Sequence, residues 1–368
     1  MHLATGQTAP PERQVLDWRR FERAFDRVFA SSVLFGDTPI TIDVIVNPYA
    51  GRFSSERRAA ATLDELDAVT ASVAHERDAP RRQNVALRFH HTRYVGHARE
   101  IARQAIDLSC ANAHLIVSAG GDGTHGEVLS AYLDANESQA LQGDDRSFAL
   151  MRLPLGTGND GADASGIAEA VAMLRGAADV HRTGHLVIRP TGMGGFFGFN
   201  IASIGLDAYV AELTNRLKRR FGGDLYKVIA DIATLFYEQI VGVESMTIDV
   251  TATDGSAERL TGEFMLIAAG ISGHRFYGGG KAVLPGSDNL CAIARLGLIG
   301  KIRLKSLFYR GDHVHEPNVS MRSFRSLRVE YGRRVPMQVD GEAAWLEPEN
   351  FPLRIERVRD SIPVLSHA

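Results

Sequence analysis

The chain has 368 residues, 45% of them hydrophobic and 23% charged, an ordinary globular composition with length enough for two cores. A formal net charge of −3 excludes a global polyanion-binding character, and two cysteines, Cys110 and Cys291, exclude a disulfide framework or a cysteine metal cage. No secretory leader is recognisable and no apolar run is long enough to span a bilayer, so the expectation is a cytoplasmic protein that meets any membrane from its surface.

Residues 1–10 carry no pattern. From Pro11 onward Trp18, Phe21, Phe25, Val28 and Phe29 recur at three- and four-residue spacing, which predicts an amphipathic helix with five arginines and four acidic residues on its other face. Such a helix packs on the main body, on a partner subunit or at a membrane interface. Ile40–Val46 reads as a strand ending at Asn47-Pro48-Tyr49-Ala50-Gly51, followed by a helix through Leu66. A strand at Val85–Phe89 and a helix from His97 to Leu108 come next. A third strand through Leu115-Ile116-Val117 runs into Gly120-Gly121-Asp122-Gly123-Thr124, and a helix follows over Val128, Leu129, Tyr132 and Leu133. A fourth strand, Phe148–Leu153, ends at Pro154-Leu155-Gly156-Thr157-Gly158-Asn159-Asp160. Strand, polar loop and helix in repetition predict a parallel α/β sheet, which binds ligands at those loops.

Past residue 180 short alternating segments dominate: His185–Arg189, Phe196–Ile201, Met246–Thr251, Glu263–Ala269, Leu290–Arg295, Leu327–Glu330 and Met337–Val339. They predict an antiparallel sandwich or barrel-like domain, interrupted by one helical stretch from Asp207 to Tyr237. The expected domains are an N-terminal extension (1–39), an α/β domain (40–178) and a β-rich domain (179–352), with 353–368 able to return to the α/β domain.

The glycine run after the third strand carries the chemistry. Glycine reaches φ > 0, so successive amides can converge on phosphate oxygens, and the following helix aims its N-terminal dipole at the same anion. Asp122 can then hold Mg²⁺ and the Thr124 hydroxyl can bond a phosphate oxygen. A tight turn with an aspartate cap is the plainer reading. Asn47-Pro48-x-x-Gly51 and Gly156–Asp160, at the ends of neighbouring strands, make the three loops together look like a nucleoside triphosphate site. Neither a P-loop nor a dinucleotide fingerprint is present.

These three motifs, with Glu127-Val128 after the glycine run, resemble the diacylglycerol kinase catalytic-domain family, whose nearest groups are bacterial lipid kinases and sphingosine and ceramide kinases. Asn200-x-x-x-x-Gly205-x-Asp207-Ala208, Tyr277-Gly278-Gly279-Gly280 and Val339-Asp340-Gly341-Glu342 follow in the family's order, so the resemblance covers roughly residues 40 to 360. It implies a phosphofructokinase- or NAD kinase-like nucleotide domain, a C-terminal antiparallel β-sandwich-like domain and an active site in the cleft between them. It also implies ATP and Mg²⁺ as cofactors and a lipid hydroxyl as acceptor. Asn47, Gly51, Thr92, Gly120, Gly121, Asp122, Gly123 and Thr124 would hold the nucleotide, completed by Gly156, Thr157 and Asn159. Asp340 would accept the proton of the lipid hydroxyl, since a neutral hydroxyl is a poor nucleophile, and Glu342 would orient it. Asp-Gly between apolar runs is equally a hairpin turn.

Three departures stand out. Gly161-Ala162 follows Asn159-Asp160 where the family has Phe-Ala, and Gly126 stands where many members carry Asn. The segment near which some bacterial members place a structural Mg²⁺ is shortened to Pro285-Gly286-Ser287-Asp288-Asn289, leaving Asp288 as its candidate ligand.

Residues 295–334 contain ten Arg or Lys against Asp312, Glu316 and Glu330, and Arg216, Lys218, Arg219 and Arg220 lie beside Phe221. Basic residues near an anionic bilayer contribute about 1 kcal/mol each, so peripheral docking on the membrane that holds the lipid substrate and a solvated strand face are the two readings. No aromatic-rich RNA-recognition motif appears, so no nucleic acid partner is expected. The histidines, among them His90, His91, His97, His125, His274, His313 and His315, lack metal spacing. Oligomeric state stays open, a homodimer included, as does the acceptor lipid. The rivals are an NAD kinase, which leaves Asn47-Pro48-x-x-Gly51 and Asp340-Gly341-Glu342 unexplained, and a non-catalytic nucleotide- or lipid-binding regulatory module.

Overall fold

In the computed structural model, which describes residues 17–74, 84–108, 113–137, 147–156, 159, 161–218, 235–277 and 280–367, the Asp17 carboxylate accepts the Arg20 amide at 3.0 Å and starts α1 (Trp18–Ala30). Pro11, Cys110, Thr157, Gly158, Asp160, Arg219, Arg220, Phe221, Gly278 and Gly279 lie outside those residues. Two compact units form: residues 1–183 with 360–368, and residues 184–359.

In the first unit, α1 buries Phe21, Phe25, Val28 and Phe29, each worth about 1.5–3 kcal/mol relative to exposure. Its polar side reaches α2 (Glu56–Ala74), where Arg20 Nη2 lies 2.6 Å from Asp64 and Arg27 pairs with Asp67. Strand β1 (Ile40–Val46) is central, with β2 (Val85–His91) and β3 (Ala113–Gly120) parallel on either side of it. Strand β4 (Phe148–Pro154) joins β3 in parallel. Ile42, Val44, Leu115 and Val117 alternate onto one face, in a core shared with α1, α2 and α5 (Ile167–Arg175). Helices α3 (His97–Asp107) and α4 (Asp122–Glu137) contact β1 and β3 respectively, and Asp43, His114 and Ser118 alternate onto the sheet's second face.

Asp43 is a buried carboxylate with a full set of partners. Arg88 donates to it through Nε at 2.8 Å and Nη2 at 2.5 Å, and the Nε2 atoms of His90 and His114 lie 2.6 and 2.8 Å away. Burial alone would push the carboxyl up. The hydrogen bonds from His114, His90 and Arg88 overcome that and hold it well below the usual carboxylate range.

Strand β5 (Ala178–Arg189) leads into the second unit, where it pairs antiparallel with β6 (Phe196–Gly198). There β7 (Ile201–Gly205) precedes α6 (Leu206–Lys218), the single turn α7 (Tyr237–Ile240), β8 (Ser245–Thr251) and β9 (Ala257–Gly270). A short pair, β10 (Arg275–Tyr277) and β11 (Lys281–Leu284), comes before β12 (Leu290–Ala294), α8 (Leu298–Arg310) and β13 (Val319–Arg322). The chain continues through β14 (Ser326–Glu330), β15 (Val335–Val339), β16 (Glu342–Leu346) and β17 (Leu353–His367). The first half of β9 pairs with β8, and its second half lies between β7 and β12, so one strand serves two layers. β14 joins β8 to the start of β17, and β15 joins β7 to β16. Ile204, Ile267, Met337, Ile248, Val329 and Leu353, drawn from both layers, fill one core. The fold is therefore a mixed α/β first half and a β-sandwich-like second half.

Some elements differ from the sequence reading. The segment 196–201 splits into β6 and β7, because the amides of residues 199–201 turn to the Asp340 carboxylate instead of a strand partner. The helical stretch expected over 207–237 is α6 and α7, with residues 219–234 outside the described ones. The first residues of β17 pair with β14 in the second unit, whereas Val364 pairs with Leu150 of β4 in the first. No helix among the described residues is long and apolar enough to cross a membrane. Cys291 is a free, buried thiol pushed up to about 12 by burial.

Candidate functional site

The loops at the C-terminal ends of β1, β3 and β4 meet through short backbone contacts. Asn47 Oδ1 accepts the Tyr49 amide at 2.9 Å, an Asx turn that sets the loop, and Nδ2 donates to Thr124 Oγ1 at 3.0 Å. The Arg52 amide, next to Gly51, donates to Leu155 O at 2.9 Å, and the Leu155 amide donates to Gly120 O at the same distance. Thr92 is buried, its amide bonded to Val46 O at 2.9 Å.

Two glycine positions show why no side chain fits. A Cβ on Gly156 would lie 2.5 Å from Gly121 Cα, and a Cβ on Gly120 would lie 2.6 Å from Thr124 Cβ. The second and third loops therefore run backbone against backbone. Gly123 is exposed and Thr124 is buried in the first turn of α4. The amides of such a first turn have no intrahelical partner, which suits an anion.

Asp122 opens α4, half-buried, with Oδ1 accepting the Gly161 amide at 3.1 Å. A Cβ on Gly161 would touch both Asp122 Oδ1 and Arg152 Nη1 at 3.6 Å, so the departure at Gly161 leaves the Asp122 carboxylate and a guanidinium flanking one backbone position. Asn159 has φ +57°, and its side chain closes its own loop: Oδ1 accepts the Gly156 amide at 2.7 Å and Nδ2 donates to Gly156 O at 3.2 Å. Among the described residues no group of three or more His, Cys, Asp or Glu is arranged to hold a metal. One carboxylate suits a Mg²⁺ that shares its remaining coordination with phosphates and water, which is how that ion is commonly held. Asp288 accepts the Ser323 hydroxyl at 2.7 Å and gathers no acidic cluster among the described residues.

Several supporting residues carried no role in the sequence reading. The Glu127 carboxylate accepts the Gly96 amide at 2.7 Å and the Ala98 amide at 3.0 Å, capping α3 from α4. Burial pushes its carboxyl up, and those amides pull it back. His125 is buried with Nδ1 2.7 Å from Ser118 Oγ, and burial, aided by the Arg152 charge, lowers it to about 3. Arg152 is anchored by Asp163 through Nε at 3.1 Å and Nη2 at 2.6 Å. Glu127 was visible as a motif residue, but its capping partner lies some thirty positions away and leaves no local signal.

The second unit holds a separate constellation. Asp340 (φ +49°) and Gly341 (φ +90°) form the two-residue turn between β15 and β16, as the hairpin reading expects. The Asp340 carboxylate also accepts three successive amides: Phe199 at 2.6 Å, and Asn200 and Ile201 at 2.9 Å. The Gly341 amide donates to Gln338 Oε1 at 2.8 Å, Gln338 Nε2 donates to Ser203 Oγ at 2.9 Å, and Ser203 Oγ donates to Asp207 Oδ2 at 2.8 Å. Burial pushes the Asp207 carboxyl up, opposed by the Lys281 charge and the Ser203 and Gln338 hydrogen bonds. Asn200 donates to Phe276 O at 3.2 Å, while its buried Oδ1 has no partner among the described residues. Glu342 is exposed at the start of β16.

The basic window 295–334 is partly paired by acidic residues from outside it. Arg295, Lys301, Arg322, Arg333 and Arg334 pair with Glu238, Glu263, Glu258, Glu244 and Glu347, all from outside the window. The sequence-local excess of positive charge is thus largely neutralised in the fold. Arg216 pairs with Glu212 one helical turn away.

The comparisons with known proteins cover both units. Residues 41–186 match the diacylglycerol kinase catalytic domain, and residues 200–364 match the YegS C-terminal NAD kinase beta sandwich-like domain. A diacylglycerol kinase of Bacillus subtilis (strain 168) is 24% identical over 318 residues, 84% of this chain and 91% of that protein. A "Probable lipid kinase YegS-like" of Stenotrophomonas maltophilia (strain K279a) is 35% identical over 211 residues, 56% of this chain and 61% of that protein. The crystal structure of a diacylglycerol kinase from Bacillus anthracis str. Sterne shares the fold, with a TM-score of 0.53 at 16% identity over 89% of this chain and 96% of its own.

Proposed function

We propose a function from one premise: the chain belongs to the diacylglycerol kinase catalytic-domain family. It transfers the terminal phosphoryl group of ATP to a hydroxyl of a diacylglycerol-like or sphingoid lipid at a membrane surface. The observation that carries this reading is the junction of the three loops, where Gly121 packs on Gly156 and Asn47 bonds Thr124 beside Asp122. The amides of a helix's first turn, a hydroxyl and one carboxylate make a cradle for a triphosphate.

In this mechanism the amides of the glycine run and the Thr124 hydroxyl orient the phosphates, and Asp122 would hold a Mg²⁺ there. The Mg²⁺, when bound, neutralises charge building on the phosphate oxygens. Asp340 accepts the proton of the attacking hydroxyl, held in a single orientation by the Phe199, Asn200 and Ile201 amides. Glu342 orients that carboxylate or its water.

The test is transfer of label from ATP in the presence of Mg²⁺ to a panel of lipids in mixed micelles and to NAD, with Asp340→Asn alongside. Label in one lipid, lost in the variant, supports the reading and its base. NAD is the second acceptor to try, because the C-terminal match is to a NAD kinase beta sandwich-like domain. ATP binding without transfer to any acceptor would instead favour a regulatory module.

A further inference from the structure

We infer that the outer face of α8 is a membrane-insertion face for an anionic bilayer, an inference that rests on the lipid-kinase reading. The helix reads Leu-Ile-Gly-Lys-Ile-Arg-Leu-Lys-Ser-Leu-Phe-Tyr-Arg from Leu298 to Arg310, with four basic residues and no acidic one. Its inner side is satisfied. Leu304, Leu307 and Phe308 are buried, and buried Lys301 lies 2.9 Å from Glu238.

Its outer side is apolar and exposed. Ile299 is 83% exposed, Ile302 58%, Leu298 56% and Tyr309 53%. At 3.6 residues per turn these four share an arc of roughly 100°. Arg303 and Arg310 border that arc on one side, and the helical position of Lys305 borders it on the other. The α7 turn adds Phe236 and Ile240, both more than half exposed, and Glu238 ties that turn to α8 through Lys301 and to the preceding Arg295.

An apolar stripe edged by cations is how an interfacial helix lies in a bilayer, its apolar side among the acyl chains and its basic groups at the phosphates. Arg303 and Arg310 are paired with Glu316 and Asp312 at 2.8 Å, in exposed pairs weak enough to exchange for lipid phosphates. Charge decides against a second copy of the chain as occupant. A two-fold contact through α8 would set this acid-free helix against itself.

The experiment is co-sedimentation of the full chain, without ATP, with vesicles of phosphatidylcholine alone or mixed equally with phosphatidylglycerol. The chain is expected on the mixed vesicles. The double variant I299E/I302E should bind them more than about tenfold more weakly. Leu108→Glu, at an exposed apolar residue that ends α3, should bind like the parent. Equal binding of parent and double variant would overturn the inference. So would a parent that ignores vesicles but runs as a dimer that I299E/I302E dissociates, because the face would then join two protomers. Label transfer to micellar lipid, unchanged in the double variant, tests the kinase reading separately. Its failure alongside normal vesicle binding would sink the kinase and leave the docking face.

Discussion

Asn47 Nδ2 donates to Thr124 Oγ1 at 3.0 Å, which ties the turn after β1 to the first turn of α4. One side chain thereby fixes its own loop through Tyr49 and orients the hydroxyl proposed to meet a phosphate. Asn47→Ala removes both bonds at a partly exposed site. The KM for ATP should rise roughly fivefold, the equivalent of about 1 kcal/mol for a net hydrogen bond, with little change in Tm. Asn47→Asp should be worse, since it loses the donor and sets a negative charge beside the triphosphate. Calorimetric titration with ATP checks both. An Asn47→Asp variant that binds as well as the parent would remove Asn47 from the site.

The backbone contact between Gly121 and Gly156 forbids a side chain. Gly156→Ala places a methyl 2.5 Å from Gly121 Cα and must push the two loops apart, so ATP affinity should fall by about tenfold or more. Gly332→Ala, where nothing lies within 4 Å, should leave affinity and stability unchanged. Comparable losses in the two variants would mean that the loops yield freely.

Asp340 has two jobs that one substitution separates. Asparagine tolerates the left-handed backbone at φ +49° and keeps one oxygen for the Asn200 and Ile201 amides, so Asp340→Asn should unfold within a few degrees of the parent. Turnover should nevertheless drop by roughly a hundredfold or more, because an amide does not accept a proton, while ATP affinity stays within a few-fold. A large fall in Tm with proportionate activity would assign Asp340 to holding residues 199–201 alone.

Two buried histidines make the protein sensitive to acid. Burial lowers His125 to about 3 and His185 to about 4, from an ordinary value of 6.5. Between those values the unfolded chain binds protons that the folded chain refuses. The contribution of these two sites is therefore full above about pH 6.5 and is lost on acidification, by up to ~1.4 kcal/mol per pH unit for each site. His125→Asn can replace the Nδ1 contact to Ser118 and should flatten the decline between pH 6.5 and 3. Denaturant titrations across that range measure the slope, and an unchanged slope would show that His125 is not its source.

Much of the loop junction at the ends of β1, β3 and β4 was legible in the sequence because its signals are local. Gly120–Thr124 and Asn47–Gly51 each combine a strand end with a turn residue inside a few positions, and backbone geometry does the rest. Legibility failed where meaning depends on a distant partner. The Arg and Lys excess of residues 295–334 reads as one patch in sequence, yet part of it is paired by Glu238 from α7, Glu244 from the loop before β8 and Glu258 from β9. Residues 196–201 alternate like one strand, yet the Asp340 carboxylate, some 140 positions later, takes three of their amides. Asp43, Arg88, His90 and His114 read as unrelated polar residues until parallel pairing brings their strands side by side.

The division of β17 between the two units has a consequence for how the protein is made. Val364 bonds into β4 and Leu365 sits in the first unit's core, while residues 184–359 build the other unit in between. A ribosome therefore delivers the glycine loops early, but it must finish the whole sandwich before the strand that completes their sheet emerges. The nascent chain carries the first unit's loops without that strand for most of its synthesis, and the first unit's sheet is complete only once residue 364 has been added.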